Sequence, residues 1–221
     1  MINPTVRKVL LVGRTFANKS DGGAQKVEDC RPLTEACRLL NAESGVKVDL
    51  RLVIPSSTAY KNHDKGDTFQ FLSDAYSDTP GVQIRQTQMD PVSGCLNEAS
   101  RDAEQAGYSH ILFISPSAAE YLKLENFQAM LNACAKGALV VGLSLEEVPG
   151  EVMDNSLAMW NLEALKAVNG FDTSSAPVKD GEVRAMVDVE GGQVPVWGVE
   201  EVRPLLRLGR LLAGKRFFAY F

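Results

Sequence analysis

Short, continuous apolar runs alternate along this chain with stretches in which apolar residues recur every three or four positions. "KVLLVG" (8–13) is unbroken and β-branched, which predicts a strand. Pro32 then opens a helix in which Leu33, Cys37 and Leu40 fall on one face, ending by Gly45. "VDLRLVIP" (48–55) predicts a second strand, stopped by Pro55. The polar stretch 56–67 predicts a loop, Thr68–Tyr76 a short helix, "DTPG" (78–81) a turn and "VQIRQT" (82–87) a third strand.

From Pro91 the positions Val92, Leu96, Ala99, Ala103 and Ala106 trace a narrow face of small residues, suited to close packing on a sheet. Gly107 ends that helix and "HILFI" (110–114) follows as a strand, running out into an uncharged Ser115-Pro116-Ser117-Ala118 loop. A helix near Asn126–Lys136 and a strand "ALVVGLSL" (138–145) continue the rhythm. Later, "VRAMVDVEGGQVPVWG" (183–198) predicts a hairpin about Glu190-Gly191-Gly192. "EEVRPLLRLGRLLAG" (200–214) then predicts a basic amphipathic helix, and "RFFAYF" (216–221) a last strand. Strands alternating with helices predict an α/β domain with a mostly parallel central sheet flanked by helices. With no internal repeat and no low-complexity linker, 221 residues are read as one domain.

Composition narrows the function classes. An apolar fraction of 45% with 23% charged residues is that of a soluble globular chain. The net charge of -5 argues against a nucleic-acid binder. No run reaches transmembrane length, and the first strand is followed by Gly and Arg and not by a small-residue cleavage site. A cytoplasmic setting is expected. Four cysteines without a CxxC pair and two histidines predict no structural zinc and no disulfide framework. Cys30 and Cys37 share one face of a helix, as core residues do.

No common catalytic or nucleotide fingerprint is present. The single Gly13 followed by "RTFANKSDGGAQK" is neither G-x-G-x-x-G nor a P-loop, and no G-x-S-x-G elbow occurs. Three longer segments carry more. "NSLAMWNLEALKAVNGFD" (155–172) reads as a strand over Asn155–Met159, a helix over Asn161–Val168 and a Gly170-Phe171-Asp172 turn. "VWGVEEVRPLLRLGRLLAGKRFFAY" (196–220) holds an acid pair, Glu200-Glu201, with Arg207 six residues beyond the second acid and Gly214 before a strand. "DPVSGCLNEASRDAEQAGYSHILFISPS" (90–117) gives a turn, a small-residue helix, a Gly and a strand.

Taken in chain order, these segments resemble the family 2 glycosyltransferases and their relatives with the GT-A fold. The resemblance implies a single GT-A-like domain, with residues 1–117 as the nucleotide-binding half and 118–221 as the acceptor half. It implies Glu201 as general base, with Glu200 as its alternate or partner. It further implies Ser115, Ser117 and Arg207 at the donor phosphates, and Asp172 and Trp197 at the acceptor. Arg14, Lys19 and Lys26 flank the glycines after the first strand, Gly22-Gly23 among them, and are cations that can meet a phosphate without a metal. The implied partners are a nucleotide sugar and a glycan or other small acceptor.

Transfer from a nucleotide diphosphate needs a base for the attacking hydroxyl, worth on the order of 10²–10⁴-fold, and charge stabilisation for the leaving diphosphate. The resemblance departs where that stabilisation is usually held: Ser115-Pro116-Ser117 stands in place of Asp-x-Asp, and Pro55-Ser56-Ser57-Thr58 in place of acids at the second strand. Hydroxyls are poor ligands for Mg²⁺ or Mn²⁺, so no metal residue is assigned and a divalent cofactor of the usual kind is not expected. Arg203, Arg207 and Arg210 at helical spacing, with Lys215 and Arg216, offer cationic substitutes.

Each reading has a plainer counterpart. The acid pair equally suits a helix N-terminus through the macrodipole, by about 0.3–1 kcal/mol per acid. The arginine face equally suits water or an anionic lipid surface, which leaves peripheral membrane contact open. Asp172 can cap its turn, Trp197 can pack within a hairpin, and the apolar "RFFAYF" end can pair with another copy of the chain. Two classes stay open: an inverting glycosyltransferase without the usual metal site, and a non-catalytic domain of the same fold. A nucleotidyltransferase is the remoter third.

Overall fold

The structure, a computed structural model, describes residues 8–15, 17–19, 25–27, 29–54, 67–87, 93–136, 138, 140–144, 153–167, 183–189, 192–197 and 218–220. The core is a seven-stranded sheet. Its members are β1 (Lys8–Arg14), β4 (Lys47–Ile54), β5 (Val82–Gln86), β6 (His110–Ile114), β7 (Val140–Ser144), β8 (Met153–Asn161) and β11 (Phe218–Tyr220). They lie in the order β11-β7-β8-β6-β1-β4-β5. Only β8 runs antiparallel to its neighbours, β6 and β7; the other pairings are parallel. The expected α/β architecture with a mostly parallel sheet is what the chain adopts.

Helices α1 (Arg31–Glu43), α2 (Asp67–Tyr76) and α4 (Leu124–Ala135) supply the core on one face of the sheet. Helices α3 (Ser93–Gln105) and α5 (Leu162–Ala167) supply it on the other. Strand alternation does the sorting. Val9 and Leu11 join the α1 cluster, whereas Leu10 and Val12 join the α3 cluster. In β6, Leu112 and Ile114 face α1 while Ile111 and Phe113 face α3, so every residue of that strand is buried. Leu33, Cys37 and Leu40 are the buried face of α1, as their spacing predicts. Burying a side chain such as Leu33 completely is worth about 1.5–3 kcal/mol relative to leaving it in water. Gly13 lets α1 approach, because a Cβ there would meet Leu33 Cδ1 at 2.8 Å and Leu52 Cδ2 at 3.0 Å.

Several boundaries differ from expectation. Leu96, Ala99 and Ala103 do pack α3 on the sheet, but Ala106 lies beyond the helix and is exposed. The helix stops because Gly107, at φ 74, closes a C-terminal motif with Tyr108 N–H bonded to the Ala103 carbonyl at 3.0 Å. Asn155–Met159 is part of a longer strand, and the helix after it begins at Leu162, because Trp160 and the β6 pairing of Asn161 extend β8. The expected loop after β6 is instead a 3-10 helix, η1 (Pro116–Tyr121), with Ala118 and Ala119 buried against the α1 core. Two small ribbons complete the chain: β2 (Ala17–Lys19) with β3 (Gln25–Val27), unforeseen from sequence, and the expected hairpin β9 (Val183–Val189) with β10 (Gly192–Trp197). Of the expected loop 56–67, residues 56–66 lie outside the described residues, and Asp67 opens α2; the expected helix 200–214 also lies outside them.

Topology matters most for function. The chain winds from β1 outward through β4 to β5, then returns to the opposite side of β1 as β6. The winding direction therefore reverses between β1 and β6.

Candidate active site at the carboxyl ends of the strands

In open α/β sheets, ligands bind in the crevice beyond the carboxyl ends of the strands at such a reversal. Here Gly13 of β1 pairs with Ile114 of β6, so the next residues, Arg14 and Ser115, leave adjacent parallel strands side by side. Pro116 has no N–H with which to continue the ladder and takes the first position of η1, which suits its fixed φ. Ser115 sits at the N-cap with extended geometry (φ -81, ψ 147), and its side chain makes no capping bond.

Thr15 follows Arg14 and was not singled out by sequence. Its N–H bonds to the Val53 carbonyl at 3.1 Å, prolonging the β1 ladder by one residue. Its side chain is wholly buried, yet Oγ1 has no hydrogen-bond partner. A buried unpaired hydroxyl costs roughly 1–3 kcal/mol. The only signal was the alternation itself: 9, 11, 13 and 15 fall on the α1 face of β1.

A second unforeseen feature lies where β8 meets β7. Gly142 pairs with Ala158, but the next residue, Leu143, pairs with Asp154. Residues 155–157 are therefore an insertion in β8, while Leu157 still pairs with Ile114 at the end of β6. A Cβ on Gly142 would stand 2.6 Å from the Leu157 carbonyl oxygen and 3.0 Å from Ala158 Cα, so this contour needs a glycine. Irregularities of this kind cluster at sheet ends and beside active sites.

The expected site residues divide into two sets. Arg14 and Ser115 come together at the reversal, and Ser117 stands within η1 close behind them. Trp197 is the last residue of β10. Asp172, Glu200, Glu201 and Arg207 lie outside the described residues, as do Arg203, Arg210, Lys215, Arg216 and the Gly22-Gly23 pair. Of the other flanking cations, Lys19 ends β2 and Lys26 lies in β3. Among the described residues no group of three or more His, Cys, Asp or Glu side chains could hold a metal ion. The residues at the end of β6, two serines and a proline, do not fit one.

The remaining titratable groups are structural. Cys30, Cys37 and Cys134 are buried and in no disulfide, and burial pushes the Cys37 and Cys134 thiols up to about 12, far from a reactive thiolate. Burial lowers His110 to about 4. Ser109 Oγ donates to the Lys8 carbonyl at 3.1 Å and lies 3.0 Å from His110 Nδ1, so Nδ1 is the ring's donor; Nε2 has no partner. A groove of about 270 Å³ between α3 and α5 is lined by Arg101, Glu104, Leu162, Leu165 and Lys166 among others. It contains none of the expected site residues. No described helix is long and apolar enough to cross a membrane.

No family model matches the sequence, and no curated protein matches it. Solved structures do. The chain is similar to 4-diphosphocytidyl-2C-methyl-D-erythritol synthase from Anaerococcus prevotii, with a TM-score of 0.52 at 9% identity over 99% of this chain and 89% of that one. It is similar to a cytidylyltransferase from Leptospira borgpetersenii, with a TM-score of 0.50 at 8% identity over 98% and 75%. It is also similar to a mannosyltransferase from Pyrobaculum calidifontis in complex with GDP-Man and Mn²⁺, with a TM-score of 0.50 at 15% identity. That match spans 79% of this chain but only 50% of the mannosyltransferase. These likenesses carry the architecture and not the activity. The chain has the GT-A-like fold that cytidylyltransferases and glycosyltransferases share.

Proposed function

We propose that the chain is a transferase that draws on a nucleoside diphosphate donor and moves a sugar to an acceptor hydroxyl. The observation that carries this reading is the reversal between β1 and β6, from which Arg14 and Ser115 emerge side by side. The mannosyltransferase neighbour, which holds GDP-Man, supports the donor class by analogy of fold.

In this reading residues 1–117 bind the donor and residues 118–221 bind the acceptor, a glycan or other small hydroxyl compound. Glu201 takes the proton from the acceptor hydroxyl, with Glu200 beside it as positioning partner. The acceptor oxygen forms its bond to the anomeric carbon on the face opposite the diphosphate. The bond from that carbon to the phosphate oxygen breaks, and the electron pair leaves on the diphosphate. Arg14 and Arg207 meet its charge, with the hydroxyls of Ser115 and Ser117 as further donors. Asp172 and Trp197 orient the acceptor.

A specific observation favours a second reading, nucleotidyl transfer: the neighbours that match almost the whole chain are cytidylyl enzymes. Lys19 and Lys26, on the β2–β3 ribbon that follows β1, would then serve the triphosphate. Thermal-shift measurements with nucleoside diphosphates, nucleotide sugars and CTP, each with Mn²⁺, with Mg²⁺ or with EDTA, separate the two. Ligand at 100 times its dissociation constant adds about 2.7 kcal/mol, a rise of roughly 5–10 °C for a domain of this size. Shifts with a nucleotide sugar and its diphosphate, followed by loss of turnover in Glu201→Gln, support glycosyl transfer. A shift confined to CTP supports the second reading. Binding without turnover of any donor identifies a non-catalytic domain of the same fold, and no shift at all overturns the nucleotide reading.

A further inference from the structure

We draw no further inference here: the strongest candidate, the groove between α3 and α5 lined by Ser100, Arg101, Leu162, Leu165 and Lys166 among others, has its leucines almost wholly buried and its Lys166 already paired with Glu104, and nothing in the structure shows what occupies it.

Discussion

The two ends of the inner parallel strands are built in opposite ways. At the amino ends of β1, β4 and β6, charge is present and paired. The Tyr108 hydroxyl donates to Asp49 Oδ2 at 2.7 Å, and Lys47 approaches the same oxygen at 3.6 Å. Lys8 Nζ donates to the Ala106 carbonyl at 3.2 Å and lies 3.7 Å from the centroid of the Tyr108 ring. At the carboxyl ends the described side chains are Thr15, Ile54 and Ser115, none of them charged, and the Thr15 hydroxyl is buried without a partner. The same strands are stapled at one end and carry a buried, unpartnered hydroxyl at the other. Paired charge and aromatic stacking hold a fold; the Thr15 hydroxyl adds nothing to it and makes sense as one side of a contact with a ligand.

The largest effect is expected where the carboxyl end has no slack. Gly142→Val forces a Cβ toward the Leu157 carbonyl oxygen, 2.6 Å from an ideal position, and backbone yields less than side chain. The expected cost is about 3 kcal/mol, a fall in Tm of roughly 6–12 °C. Gly13→Ala makes the contrast, because its neighbours are the ends of leucine side chains; a loss of about 1–2 kcal/mol is expected there. Equal losses at the two positions, measured by urea unfolding, would show that the β7–β8 contour is not the rigid one.

Next comes the amino end under acid. Burial holds the folded His110 at about 4, below the ordinary 6.5 of the unfolded chain. Between those values the unfolded state binds the proton and the folded state does not. Stability is therefore fully present above about 6.5 and is lost as pH falls toward 4. From pH 7 to pH 5 the wild type is expected to lose about 2 kcal/mol more than His110→Leu does. Urea titrations of both proteins at the two pH values check this; parallel losses would mean that the folded ring takes up its proton as readily as the unfolded one.

A smaller effect comes from the hydroxyl at the same end. Tyr108→Phe keeps the ring under Lys8 but leaves Asp49, 14% exposed at its side chain, with Lys47 alone at 3.6 Å. About 1–2 kcal/mol of stability is expected to go. An unchanged midpoint in denaturant would indicate that water replaces the phenol fully.

Much of this contrast was legible beforehand at the level of elements and little of it at the level of sites. "HILFI" and "KVLLVG" read as buried strands because a strand covered on both faces needs every residue apolar, and β6 bears that out. Leu33, Cys37 and Leu40 read correctly because a helix lying on a sheet has one buried stripe. The failures were of another kind. Nothing in "VVGLS" and "MDNSLAMW" announces a three-residue slip between two strands, since register depends on a partner distant in sequence. Pro116 marked the end of β6, but whether a loop or a 3-10 turn followed was decided by the apolar seat for Ala118 and Ala119 beside α1. Thr15 drew no notice because the apolar run that marks β1 stops at Gly13, two residues before it. The uncharged end of "HILFISPS" was legible; what it meant was not, because a missing carboxylate points nowhere until the neighbouring strands are known.

The smallest expected change is also the sharpest test of the two-ended design. Thr15→Val replaces the orphan hydroxyl with a methyl of nearly the same size, at a position wholly buried and without a hydrogen bond to lose. If the hydroxyl only burdens the apo fold, the variant is more stable by about 1 kcal/mol, since a desolvated polar atom is removed and nothing is unpaired. The backbone bond from Thr15 to Val53 is untouched. At the amino end the comparable edit, Tyr108→Phe, costs stability, so the two hydroxyl deletions are expected to carry opposite signs. Their meaning separates further on adding nucleotide. A valine variant that gains stability as apoprotein yet shows a reduced shift with nucleoside diphosphate ties the orphan hydroxyl to the ligand. A gain in both would make Thr15 an unpaired polar group in the core, and a donor at the reversal between β1 and β6 would have to be bound without it.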